Sequence, residues 1–194
     1  LNAGELRDKV TLLSAAGSGE DLRWETTAQL WVKAETLPPR CPCGDNPELE
    51  EVAMTMRRRA LAPCTPVEWN GKRGMVLDVA PVGKQYSRAL VRMAEPKLCA
   101  AMRPQVEKGE LNRPVTTMRE IAVFPGYLEE KEPVYTRSMP QTASRQACQL
   151  TTPKREALLP GDLVRIGRTH YTVAASYTMR PDRDVYDLTI QREQ

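Results

Sequence analysis

No stretch of the chain approaches the roughly 18 uninterrupted apolar residues of a bilayer-spanning helix, so the sequence offers no helical membrane span. Leu1 to Ser14 carries Glu5, Arg7, Asp8 and Lys9 where the apolar core of a secretory leader would sit, and the expectation is a chain made and used in the cytoplasm. Histidine occurs once. There is no phosphate-cradling glycine loop of the Walker or dinucleotide type, no G-x-S-x-G elbow and no H-E-x-x-H, and no enzyme class is indicated. A strong charge of one sign is also missing. The 28 basic and 25 acidic side chains leave a net +3, with 13 of each up to Glu95, whereas a dedicated base-reading DNA binder shows a stronger basic bias. The five cysteines, Cys41, Cys43, Cys64, Cys99 and Cys148, are odd in number and irregularly spaced. That argues against a secreted disulfide framework and for reduced thiols.

The residues with chemical potential are few. His170 lies beside Tyr171 on a predicted strand, with no Ser or Cys at a motif spacing that would make it a general base. Cys41-Pro42-Cys43-Gly44 offers two thiolates, but tetrahedral zinc needs four ligands and Cys64 brings no neighbour. The carboxylates at Glu48, Glu50 and Glu51, and at Glu129, Glu130 and Glu132, sit in polar runs where nothing would desolvate them, and they read as solvated acidic faces. No catalytic residue, cofactor site or metal site is assigned.

What the chain does have is 41% apolar and 27% charged residues, the balance of a folded soluble protein, and a period of two. Val10 and Leu12, Leu30, Val32 and Ala34, Val52, Met54 and Met56, Met75, Leu77 and Val79, and Ala89, Val91 and Met93 alternate with their neighbours. This is the mark of strands with one buried face. Gly17-Ser18-Gly19, Asn70-Gly71 and Gly83 supply turns, with Asn70-Gly71 the best hairpin signal. The pattern returns after residue 118 at Ile121 and Val123, Leu150 and Thr152, Val164 and Ile166, Tyr171, Val173 and Ala175, and Tyr186, Leu188 and Ile190. The prediction is all-β, with units at 1–95 and 118–194. Residues 96–117 are predicted as a short, partly helical linker, the helix over Lys97 to Arg103 ending at Pro104.

A shift of 97 positions superposes Arg57, Arg58, Ala60, Leu61, Pro63 and Val67 on Lys154, Arg155, Ala157, Leu158, Pro160 and Val164, which reads as an internal duplication. One deletion near Asn70 would then bring Gly71 onto Gly167 and Met75 to Val79 onto Tyr171 to Ala175.

Arg57-Arg58-Arg59 is the sharpest basic cluster, and with Lys154 and Arg155 it forms the candidate contact for DNA phosphates or for an acidic partner. Trp24 and Trp31 fall on opposite faces of one strand, so one packs inside while the other is available at an interface. Two Pro-rich polar stretches, Leu37 to Glu51 and Glu129 to Arg145, read as protruding functional loops. Their candidate interface or gating residues are Pro38, Pro39, Arg40, Asp45 and Glu48 in the first, and Glu130, Lys131, Tyr135 and Arg137 in the second.

Leu6-Arg7-Asp8-Lys9-Val10-Thr11-Leu12, a glycine-containing turn, Trp24 and Leu30-Trp31-Val32-Lys33-Ala34-Glu35 follow in an order similar to the opening hairpin of the phage head-tail joining family. The resemblance continues through Glu51 to Arg58 and through Val67-Glu68-Trp69-Asn70-Gly71-Lys72 with Met75 to Val79. Pro160 to Gly167 followed by Tyr171-Thr172-Val173 resembles the same terminal hairpin, though the Trp segment has no counterpart there. The resemblance implies two small SH3-like β-barrels in tandem, where the family usually has one. It also implies a non-enzymatic virion protein of the neck that needs no cofactor. As a connector of head-completion or stopper type, it would form a ring of roughly six or twelve copies. Its partners would be a portal or adaptor ring, a tail-tube or tail-terminator protein, and packaged double-stranded DNA. Two other readings stay open, an SH3-like nucleic-acid-binding module and a small hydrolase using Cys or His.

Overall fold

The structure, a computed structural model, describes residues 3–38, 50–108, 113–130, 147–154 and 158–190. By contact the chain divides into two compact units, Leu1–Ser14 with Trp24–Pro96, and Ala15–Arg23 with Lys97–Gln194.

Each sheet closes on itself. The first contains β1 (Asp8–Ala16), β2 (Arg23–Thr36), β3 (Glu51–Arg57), β4 (Pro66–Trp69), β5 (Lys72–Val82) and β6 (Tyr86–Arg92), in the order β1-β2-β3-β6-β5-β4. It closes where Thr11 lies opposite Glu68 and Leu12 opposite Val67. Alternation turns Val10, Leu12, Leu30, Val32, Val52, Met54, Met56, Ala89 and Val91 into one core, at roughly 1.5 to 3 kcal/mol for each large aliphatic side chain fully removed from water. The second sheet contains β7 (Lys97–Lys108), β8 (Pro114–Glu130), β9 (Ala147–Pro153), β10 (Leu163–Ile166), β11 (Thr169–Tyr177) and β12 (Arg183–Ile190). Its order is β7-β8-β9-β12-β11-β10, the same path six strands later. Phe124, Leu150, Val164, Val173, Tyr186 and Leu188 fill its core.

The all-β tandem of small barrels is as expected, but the partly helical linker is not present. Lys97 to Arg103 lies within β7, which pairs with β10 from Leu163 opposite Met102 to Ile166 opposite Cys99, and with β8 along its whole length. Cys99 and Ala101 face the core with no exposure. Cys99, Ala100 and Ala101 are buried in succession between β8 and β10, and Pro104 fits because β7 runs there beyond its pairing with β10 and needs only β8.

The repeat of path extends to hydrogen bonds, with a different alignment from the one read in the sequence. Both hairpins have two-residue turns, Trp69 pairing Lys72 and Ile166 pairing Thr169. Asn70 therefore matches Gly167, the shift of 97 passes through the turn, and no deletion falls near Asn70. Asn70 and Gly71 both have positive φ, the I′ pattern, whereas in the second turn only Gly167 does, the II′ pattern. The two turns look alike in sequence only when their glycines are forced together.

The shift persists to a bulge in each barrel, between Val76 and Asp78 and between Val173 and Ala175. The first bulge also corrects the alternation assigned to β5. Val76 joins the core cluster, Met75 is buried outside that cluster and Leu77 is half-buried, while the extra residue at the bulge lets Val79 pack against the cluster as well.

The one-residue difference lies earlier. Arg57 opposite Tyr86 corresponds to Pro153 opposite Arg183, and Met56 opposite Ser87 to Thr152 opposite Asp184. Arg57 therefore matches Pro153 and Arg58 matches Lys154, not the pairs that the uniform shift implied. Core volumes differ at matched positions. Ala89 in β6 corresponds to Tyr186 in β12, while Leu12, opposite Val67, corresponds to Ala101, opposite Val164.

Candidate functional site

On the first barrel a cleft of about 780 Å³ is lined by Leu6, Arg7, Gln29, Leu30, Trp31, Met56, Arg57, Arg58 and Arg59. Its parts are placed by the strands. In β2 the period of two sends Leu30 and Val32 inward and leaves Gln29 and Trp31 outside, and Trp31 remains 60% exposed. Trp24, on the other face of β2, is half-buried, with the Arg73 guanidinium 5.8 Å from its ring centre. The expected opposition of the two tryptophans therefore holds.

β3 carries Met56 into the core and ends at Arg57, and the Arg58 N–H donates to the Gln85 carbonyl at 2.7 Å, fixing the path of the arginine run as it leaves the strand. Arg57, Arg58 and Arg59 are all exposed. Arg7 enters from the segment before β1 and donates through Nε to the Gly4 carbonyl at 3.0 Å.

The electrostatics of this unit divide cleanly. Arg73, Arg88 and Arg92 have carboxylate partners in Glu68, Glu35 and Glu51. Among the described residues, the four arginines of the cleft have none. Beside an indole and a partly apolar floor, four guanidinium groups with no carboxylate partner among the described residues form a setting whose chemistry suits an anionic group that also carries apolar surface.

The second barrel treats the matching place differently. Lys154 donates to the Asp184 carboxylate at 2.7 Å and to the Thr178 carbonyl at 2.6 Å, and Asp184 is fully buried. Lys154, a candidate contact for DNA or an acidic partner, thus has an internal carboxylate partner while remaining exposed. Arg155 lies outside the described residues, as do Pro39, Arg40, Asp45, Glu48, Lys131, Tyr135 and Arg137. Of the other loop candidates, Pro38 is exposed just beyond β2, and Glu130 is exposed at the end of β8. Neither belongs to the cleft. Sequence reading missed Leu6, Arg7, Gln29, Leu30 and Met56, whose signal was adjacency of β2 and β3 with the segment before β1.

A second polar centre was also missed. Arg103 grips Asp162 through two hydrogen bonds of 2.8 and 2.7 Å, and the Leu159 N–H donates to the same carboxylate at 2.7 Å. Burial pushes the Asp162 carboxyl up. The Arg103 hydrogen bonds, the Leu159 amide and the guanidinium charge outweigh that and hold it below the ordinary carboxylate value.

His170 is half-buried in β11 opposite Arg165. Among the described residues no group of three or more His, Cys, Asp or Glu is placed to hold a metal ion, and Cys41 and Cys43 lie outside them. Cys64, Cys99 and Cys148 are buried thiols outside any disulfide, and burial pushes the Cys99 thiol up to about 12. Among the described residues no helix is long and apolar enough to cross a membrane.

The fold and site define a tandem of two closed six-stranded barrels with an arginine and tryptophan cleft on the first. No protein family, curated protein or solved structure matches the chain.

Proposed function

We propose that the protein is a structural component of a tailed-phage neck, a non-enzymatic connector of head-completion or stopper type. It would assemble as a ring below the portal, extend and close the DNA channel, and offer the tail its attachment site. One observation carries this reading. The segments in which the first half resembles the head-tail joining family occupy β1, β2, β3, β4 and β5 of a single closed barrel. Segments far apart in sequence are therefore neighbours in one sheet. The partners that follow are further copies of the chain, a portal or adaptor ring, a tail-tube or tail-terminator protein, and double-stranded DNA in the channel, all within the virion.

Native mass spectrometry of the purified protein, alone and mixed with portal and tail-tube proteins, tests it. A closed ring of roughly six or twelve copies, free or formed only on the partner ring, is the expected result. A monomer that ignores both partners yet binds duplex DNA with a steep salt dependence would replace this reading with that of an SH3-like nucleic-acid-binding module. Arg57, Arg58 and Arg59 are the residues that favour this second reading.

A further inference from the structure

We infer that the cleft of the first barrel is a receptor for an acidic peptide segment of a partner protein, carboxylates on Arg57, Arg58 and Arg59 and an apolar side chain against Trp31. The inference concerns this barrel alone and does not depend on ring assembly.

The second barrel shows what this position accepts. There the cation that follows the third strand, Lys154, is held by the carboxylate of Asp184, fully buried one strand away. Matching registers put Ser87 of β6 at the place of Asp184 and Arg58 at the place of Lys154. A serine hydroxyl carries no charge. The first barrel therefore keeps the cations, multiplies them to three in succession, and lacks the internal carboxylate that answers them in its duplicate.

The surroundings favour a peptide over nucleic acid. Trp31 stands 60% exposed, and Leu6, Leu30 and Met56 line the same cleft. Tryptophan and arginine around a partly apolar pocket are what protein interfaces concentrate at their centres, whereas duplex backbones are met by basic surface with little apolar content. The bland charge balance of the chain agrees, since a net +3 offers little long-range field for a polyanion.

The test uses the full chain and fluorescence anisotropy. One labelled probe is the peptide acetyl-Gly-Glu-Leu-Glu-Gly, a second replaces both Glu by Gln, and a third is a duplex of about 20 base pairs. The Glu peptide is expected to bind at least about tenfold more tightly than the Gln peptide, and to weaken as salt rises. Trp31→Ala is expected to weaken both peptides by a similar factor.

Ser87→Asp, which copies the internal carboxylate of the second barrel, is expected to reduce Glu-peptide affinity by about tenfold while sparing the Gln peptide. Should that variant fail to fold, Arg58→Gln carries the same expectation on an exposed side chain. Equal affinity for the two peptides, or no binding of either, overturns the inference. So does duplex binding that displaces the Glu peptide and disappears in Arg57→Gln/Arg58→Gln/Arg59→Gln, which would make the cleft a phosphate site.

Discussion

Cys64 and Gly161 are the same residue of the fold, 97 positions apart. Both have positive φ, 60° and 95°. The Cys64 N–H donates to the Val76 carbonyl at 2.7 Å, and the Gly161 N–H to the Val173 carbonyl at 2.9 Å. The bonds are returned from Val76 to the Thr65 carbonyl and from Val173 to the Asp162 carbonyl. This turn sets where β4 and β10 begin, and it needs a left-handed residue whichever barrel it serves.

Gly161→Ala should therefore destabilise the protein by about 1 kcal/mol, the usual penalty for an L side chain in that region. The space itself is open, because a Cβ at Gly161 meets nothing within 4 Å, so the loss is purely conformational. Urea unfolding at constant m-value measures it, and an unchanged midpoint would show that the turn relaxes at no expense.

Asp162→Asn should cost about 1 to 3 kcal/mol at neutral pH, since it replaces the buried carboxylate that accepts two hydrogen bonds from Arg103 by a neutral amide. The pH dependence has a definite sign. The folded carboxyl lies below its unfolded value, so its stabilisation is fully present above the unfolded value near ~3.9 and is lost as pH falls through the lower folded value. The stability gap between wild type and Asp162→Asn should be flat from pH 7 to about 5 and shrink below about 4. A gap that widens on acidification would contradict the arrangement.

Lys154→Met should destabilise by about 2 kcal/mol, because it removes the Lys154 ammonium that donates to the fully buried Asp184 carboxylate. Lys154→Met/Asp184→Asn should recover part of that loss. Calorimetric melting of the two variants separates a structural ion pair from a surface contact, for which the single substitution would leave the melting temperature unchanged.

Cys99 should resist iodoacetamide at pH 8 in the native protein and react in denaturant, since its thiol is pushed up to about 12 by burial and exposes no surface. Peptide mapping after timed labelling reads this directly. Native labelling of Cys99 at the rate of an exposed thiol would mean that β7 opens easily.

The period of two in β1, β2 and β6 was legible because each has one face in the core. It misled in β5, where a bulge after Val76 transfers the inward role, and a bulge leaves no signature in a run of Met, Val and Leu. It failed over Lys97 to Arg103 because Leu, Ala, Met and Lys suit helices equally well, and only pairing with β8 and β10 decides the matter. Three of the nine residues lining the cleft could be read from the arginine run. The rest depended on which strands are adjacent, and no local pattern states that Leu6, Trp31 and Arg57 line one space.

The two barrels share not only a path but their ladder registers from Cys64 to Val91 and from Gly161 to Leu188. Backbone hydrogen bonding alone would thus let a hairpin of one half settle into the other as the chain emerges. Side-chain bulk forbids the exchange. A strand bringing Tyr186 into the place of Ala89 would collide with the aliphatic core, and one bringing Ala89 to the other barrel would leave a hole the size of a phenol ring. The different cores therefore disfavour either hairpin in the other barrel, although the backbone ladders alone would accept it.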